Sequence, residues 1–145
     1  MKFERTIHIA APADVVWSVI ADVERWHEWT PSVRSIRLLD RGGLRIGSRA
    51  IVRQPRLAPA LWKVTAIEPG REFTWRSGLP GIRVDARHAV IPIDDGSRAT
   101  LSVEFGGIGG RLMARLLREL NARYLALEAE GLKRRSEERA RAAVP

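Results

Sequence analysis

The hydrophobic period of the chain changes twice, and the order of those changes limits its fold more than any single residue. From Ser32 to Phe105, strand-length segments alternate with turn signals at Arg41-Gly42-Gly43, Glu68-Pro69-Gly70, Pro80-Gly81 and Asp94-Asp95-Gly96. The segments cover about residues 33–39, 48–54, 61–67, 71–76, 82–93 and 97–105. Links this short join antiparallel neighbours, and Asp95-Gly96 between two long segments is a strong hairpin signal. After the run Gly106-Gly107-Ile108-Gly109-Gly110 the period becomes helical, with Met113, Leu117, Leu120, Tyr124 and Leu127 on one stripe. This predicts a single long helix to about Ser136, fraying into a charged tail. It is the only element long enough to cover the sheet.

Ahead of the strands, Phe3, Ile7 and Ile9 share one face while Glu4, Thr6 and His8 take the other, the pattern of a half-buried strand. Pro12 suits a helix's first turn, and Asp14 favours the positive end of its dipole. Val16, Val19 and Ile20 form the apolar stripe of that helix. Asp22 can cap a second short helix through Trp26 and Glu28, which Thr30-Pro31 should stop. Strand, two short helices, six strands and a long helix make an α+β domain. Residues 1–138 are read as one domain and 139–145 as the charged tail.

At 145 residues, 45% hydrophobic, the chain can bury a core without staples. It holds no cysteine, which excludes disulfides, thiolate catalysis and Cys-based metal sites. The formal net charge of +8 raises nucleic acid and anionic membrane as partners. Arginines scattered singly are, however, a weaker footprint than a basic stripe. The chain starts on a strand-like alternation rather than an apolar signal segment, and no apolar run reaches the ~20 residues of a spanning helix. A cytoplasmic protein without a transmembrane segment is the expectation.

The stretches Ile9-Ala10-Ala11-Pro12-Ala13-Asp14-Val15-Val16-Trp17, Asp22-Val23-Glu24-Arg25-Trp26-His27-Glu28-Trp29-Thr30-Pro31 and Ile67-Glu68-Pro69-Gly70-Arg71-Glu72-Phe73-Thr74-Trp75 resemble the START-like superfamily. That superfamily, also called SRPBCC, includes Bet v 1-like proteins and the polyketide cyclase/dehydrase family. The resemblance implies a helix-grip fold, in which a curved seven-stranded antiparallel sheet wraps a long C-terminal helix around a cavity. It also implies binding of lipids, polyketides or other apolar small molecules, and in some members cyclisation or aromatisation. Its motifs are structural, so they carry fold rather than chemistry.

Strand parity names the side chains that should face the helix. These are Ala50, Val52 and Gln54; Trp62, Val64 and Ala66; Phe73 and Trp75; Ile82, Val84, Ala86, His88 and Val90; and Ala99, Leu101, Val103 and Phe105. The expected ligand-binding set is Trp29, Val52, Gln54, Trp62, Val64, Phe73, Trp75, Val84, Ala86, His88, Met113, Leu117, Leu120 and Tyr124. Trp26 and Trp29 are both read as anchors of the short helices to the sheet, with Trp29, close to Pro31, alternatively a border of the entrance. His88 and Tyr124 are the polar groups placed to orient a ligand carbonyl or to act as acid and base. The competing reading makes both of them satisfied interior residues.

Other chemistries find less support. His8, His27 and His88 lack metal-ligand spacing. The glycine run lacks the third glycine and the parallel partner strand of a dinucleotide site, and is read as a flexible joint. No cofactor is implied. The arginines and glutamates along the terminal helix, Glu128 among them, are read as a solvated face laced with i,i+4 pairs. Nucleic acid is not expected as a partner, and the sequence does not decide between a monomer and a homodimer. The outer sheet face, carrying Arg49, Arg53, Lys63, Arg76, Arg83, Arg87 and Arg98 against Glu72, Asp85 and Glu104, should be the most positive surface.

Overall fold

The computed structural model describes residues 1–143. Strand β1 (Lys2–Ile9) leads into helix α1 (Ala13–Ala21) and a 3-10 helix (Val23–Glu28). Six strands follow: β2 (Ser35–Leu38), β3 (Arg49–Arg53), β4 (Ala60–Glu68), β5 (Glu72–Leu79), β6 (Ile82–Ile93) and β7 (Gly96–Gly106). Helices α2 (Gly110–Leu116) and α3 (Arg118–Ala142) close the chain. The seven strands form one antiparallel sheet in the order β1-β7-β6-β5-β4-β3-β2. This is the helix-grip architecture.

Alternation holds along most of the sheet. Ala50, Val52, Phe73, Trp75, Val90, Ala99, Leu101 and Phe105 are buried on the inner face. It fails in β4, where a bulge between Val64 and Ala66 shifts the register against β5. The extra residue turns Ala66 out to solvent, and Ile67 packs on the core in its place.

The terminal helix also departs from expectation. It breaks at Leu117, and its second part runs past Ser136 to Ala142, into the stretch expected as tail. Its C-terminal half is the anchored half. Ala129, Leu132 and Ser136 are fully buried, and the helix approaches the 3-10 region so closely that a β-carbon on Gly131 would sit 2.0 Å from the Trp29 carbonyl oxygen. Lys133 donates to the His8 carbonyl at 3.3 Å, and Glu137 accepts from the Ala10 backbone N–H at 2.8 Å. The helix is not laced with i,i+4 pairs. Among the described residues Lys133–Glu137 is the only such pair on it, while Arg135 reaches Glu28 and Arg139 reaches Ser18 across the fold.

On the outer sheet face several cations are partnered. Arg76 and Arg83 share Asp85, Arg87 meets Glu72, and Arg49 meets Asp40, an acid outside the three expected to offset that face. Asp40 is held below the usual carboxylate range chiefly by its hydrogen bond from the Arg49 side chain.

Candidate functional site

Packing divides the inner face in two. Beside the anchored half of α3, the aromatic side chains make a close-packed cluster. Phe73 is wholly buried against Trp17, Trp26, Trp75 and His88. The His88 ring stacks on Phe73 with centroids 4.6 Å apart, and Trp26 meets it edge-on at 4.9 Å. Burial among these rings pushes His88 down to about 3, the desolvation of the charged form outweighing an opposing contribution from the Phe73 backbone. The imidazole is neutral at physiological pH, and its Nδ1 is buried with no partner.

Beneath the other half of the helical layer the sheet and helices separate, leaving a cavity of about 490 Å³. β3 supplies Val52, followed by Gln54; β4 supplies Trp62; β5, Trp75; and β6, Val84, Ala86 and His88. Met113 from α2, Leu117 at the break, and Asn121, Tyr124, Leu125 and Glu128 from α3 form the roof. Trp62 and Trp75 stand 5.7 Å apart between ring centroids, making an aromatic wall. The cavity reaches the surface beside Leu61 and Leu79, both exposed.

Ten of the fourteen expected ligand-binding residues line this space: Val52, Gln54, Trp62, Trp75, Val84, Ala86, His88, Met113, Leu117 and Tyr124. Four do not. Phe73 is enclosed by the aromatic cluster, and Val64 is covered to 1% exposure. Trp29 lies under α3, where its carbonyl accepts from Arg134 at 3.0 Å. Its neighbour Trp26, expected only as an anchor, both anchors and lines: its Nε1 donates to the Ile20 carbonyl and it also borders the cavity. Leu120 fails because the break at Leu117 resets the helical phase. Asn121, Tyr124 and Leu125, and Glu128 then share the inward face at i, i+3/i+4 and i+7.

That phase shift exposes what the sequence reading missed. Glu128, expected on the solvated face, lines the cavity, and burial alone pushes its carboxyl up to about 8. Asn121 Nδ2 and Trp62 Nε1, both on lining residues, are buried donors with no partner. Glu128 is followed by Glu130 on a helix rich in charge, and its place in the sequence gave no contrary signal.

The two expected acid–base candidates are less free than Glu128. An imidazole titrating near 3 is a weak base and holds no imidazolium proton to give at neutral pH. The Tyr124 hydroxyl donates to the Pro55 carbonyl, tying α3 to the β3–β4 loop. Gln54 is tethered in turn, its amide N–H donating to the Ser32 carbonyl at 3.2 Å. Among the described residues no group of three His, Asp or Glu side chains gathers to hold a metal ion. No described helix is long and apolar enough to cross a membrane.

A curved sheet gripping a C-terminal helix over an apolar cavity defines a helix-grip protein of the Bet v 1-like class. The chain belongs to the polyketide cyclase / dehydrase and lipid transport family, whose model matches residues 1–137. No curated protein matches it in sequence. Among solved structures it is similar to the Zhui aromatase/cyclase from Streptomyces sp. R1128, with 21% identity, TM-score 0.77, and 99% of this chain and 98% of that one covered. It is similar to norcoclaurine synthase from Thalictrum flavum at 15% identity and TM-score 0.74, over 96% of this chain and 95% of that one. The di-domain aromatase/cyclase StfQ of the steffimycin pathway aligns at 14% identity and TM-score 0.74, with 96% of this chain covering 51% of that one. At these identities the likeness establishes the fold.

Proposed function

We propose that the chain binds an aromatic or otherwise apolar small molecule carrying hydrogen-bond acceptors, held between sheet and helix. The observation that carries this reading is a set of unpartnered polar groups in a largely apolar cavity. Trp62 and Asn121 each hold an unpartnered donor, and the Glu128 carboxyl is protonated to about pH 8. A buried donor left unpaired costs about 1–3 kcal/mol. A ligand carbonyl or phenol oxygen that the side chain reaches recovers that cost, while the rings of Trp62 and Trp75 flank its apolar body. The volume falls in the range of about 300–1,000 Å³ typical of small-molecule sites.

Titration with a naphthyl methyl ketone tests this reading through tryptophan emission. Saturable quenching that weakens in Asn121→Leu is the expected result. Absence of saturable uptake would overturn it.

Glu128 also favours a second reading, catalysis of the cyclase/aromatase type. A carboxyl titrating near 8 is mostly protonated at neutral pH, placed to give a proton to a carbonyl oxygen, while its ionised fraction takes one from carbon α to a ketone as a carbon–carbon bond forms. His88 then serves as a neutral wall rather than as the base. Turnover of a poly-β-ketone that Glu128→Gln abolishes while ketone binding persists is the expected outcome. Turnover unchanged in that variant would remove Glu128 from the chemistry.

A further inference from the structure

Helix α2 presents four ridges of different chemistry. Gly110 and Ala114 are buried against the body, and Met113, with Leu117 just beyond the helix, faces the cavity. Leu112 and Leu116 are turned to solvent, 63% and 71% exposed, and Ile108 one turn earlier is fully exposed. Arg111 and Arg115 form the fourth ridge, with Arg118 just beyond. None of these three arginines makes an ion pair among the described residues. The outward leucines lie between the arginine ridge and the cavity ridge, so apolar surface continues from outside the molecule to the cavity wall. The exposed Leu79 belongs to the same rim, because the Gly109 N–H donates to the Gly81 carbonyl at 2.9 Å and fastens the β5–β6 turn to the start of α2.

Solvent is an expensive neighbour for three aliphatic side chains set one turn apart. Unpaired arginines beside such a ridge make the pattern of an interfacial helix, with branched side chains at acyl depth and guanidinium groups among phosphates. We propose that α2 docks on an anionic phospholipid bilayer, with Ile108, Leu112 and Leu116 entering the interface and Arg111, Arg115 and Arg118 meeting the headgroups. Docked in this way, α2 faces the membrane with one ridge and the cavity with the next. The joints on either side of it are the glycine run and the break at Leu117. An apolar ligand dissolved in the bilayer would then enter the cavity without crossing water.

Co-sedimentation with vesicles of phosphatidylcholine containing one quarter phosphatidylglycerol tests the proposal on the full chain. Binding should be strong at low salt. It should fall by about tenfold or more in L112D/L116D and, on the anionic vesicles, in R111Q/R115Q. Neither leucine touches the cavity, so melting temperature and uptake of the naphthyl ketone from solution should be unchanged in L112D/L116D. That separates failure of docking from failure of ligand binding. Vesicle binding that survives L112D/L116D would overturn the proposal. So would a concentration-dependent dimer that the same variant abolishes, since the ridge would then be covered by a second copy.

Discussion

His88 lies face to face with Phe73 at 4.6 Å, inside a cluster of tryptophans that holds its imidazole neutral down to about pH 3, while Glu128 is held protonated up to about 8. The two groups act on stability with opposite sign. The His88 pKa is lower folded than its ordinary 6.5, so the unfolded chain takes up the extra proton and stability falls as pH drops from 6.5 toward 3. The Glu128 pKa is higher folded than its ordinary 4.5, so the unfolded chain releases the proton first and stability falls as pH rises from 4.5 toward 8.

Together they place the maximum of stability between pH 4.5 and 6.5. Melting temperature followed across pH 4 to 9 should peak there. Glu128→Gln should flatten the alkaline limb, by an amount on the order of a few kcal/mol. An alkaline limb unchanged in that variant would show that the carboxyl is not held protonated by the fold.

Asn121→Leu should move stability and binding in opposite directions. Replacing a buried, unpartnered amide with an apolar side chain of similar size should raise stability by about 1 kcal/mol. The same change should weaken the naphthyl ketone several-fold, as read in one chemical-denaturation series and one titration. Loss of stability in Asn121→Leu would mean that the amide has a partner.

Gly131→Ala tests how tightly α3 is seated. The added methyl would lie 2.0 Å from a backbone oxygen, which cannot turn aside as a side chain can. Helix and 3-10 region must part, at a cost of about 1–3 kcal/mol or more. Gly→Ala within a solvated helix would instead stabilise by up to ~1 kcal/mol, so the sign of the change decides.

Tyr124→Phe should cost about 1 kcal/mol, through loss of the hydrogen bond to the Pro55 carbonyl. Its clearer signature should be faster hydrogen exchange confined to the β3–β4 loop, where the Leu57 amide donates to Gln54. If the tyrosine hydroxyl were instead a catalytic acid, turnover would fall without any change in that loop.

The strands could be read from the chain because alternation in β3, β5, β6 and β7 is regular and each turn carries its glycine or proline. The Val64–Ala66 bulge was not legible, since one residue of register leaves both parities plausible along Trp62 to Ile67. Nor was the break at Leu117, where neither glycine nor proline interrupts good helix formers. That one break displaced Leu120 from the cavity and brought in Asn121 and Glu128, so the walls contributed by the sheet were anticipated far better than the roof. Trp26 and Trp29 show the same limit on a smaller scale, because one ring on a 3-10 helix and one just past its end do not reveal from spacing which turns toward the cavity.

The interruption at Leu117 also separates two timescales. The segment after it is fastened to β1, α1 and the 3-10 helix, and carries the stability of the domain. The short segment before it has glycines at one end and the helix break at Leu117 at the other. Under the reading proposed for the cavity, ligand exchange needs only the shorter piece to lift. The residence time of a bound molecule would then follow the local opening of α2 rather than global unfolding, and changes that raise the melting temperature through α3 would leave the off-rate unchanged.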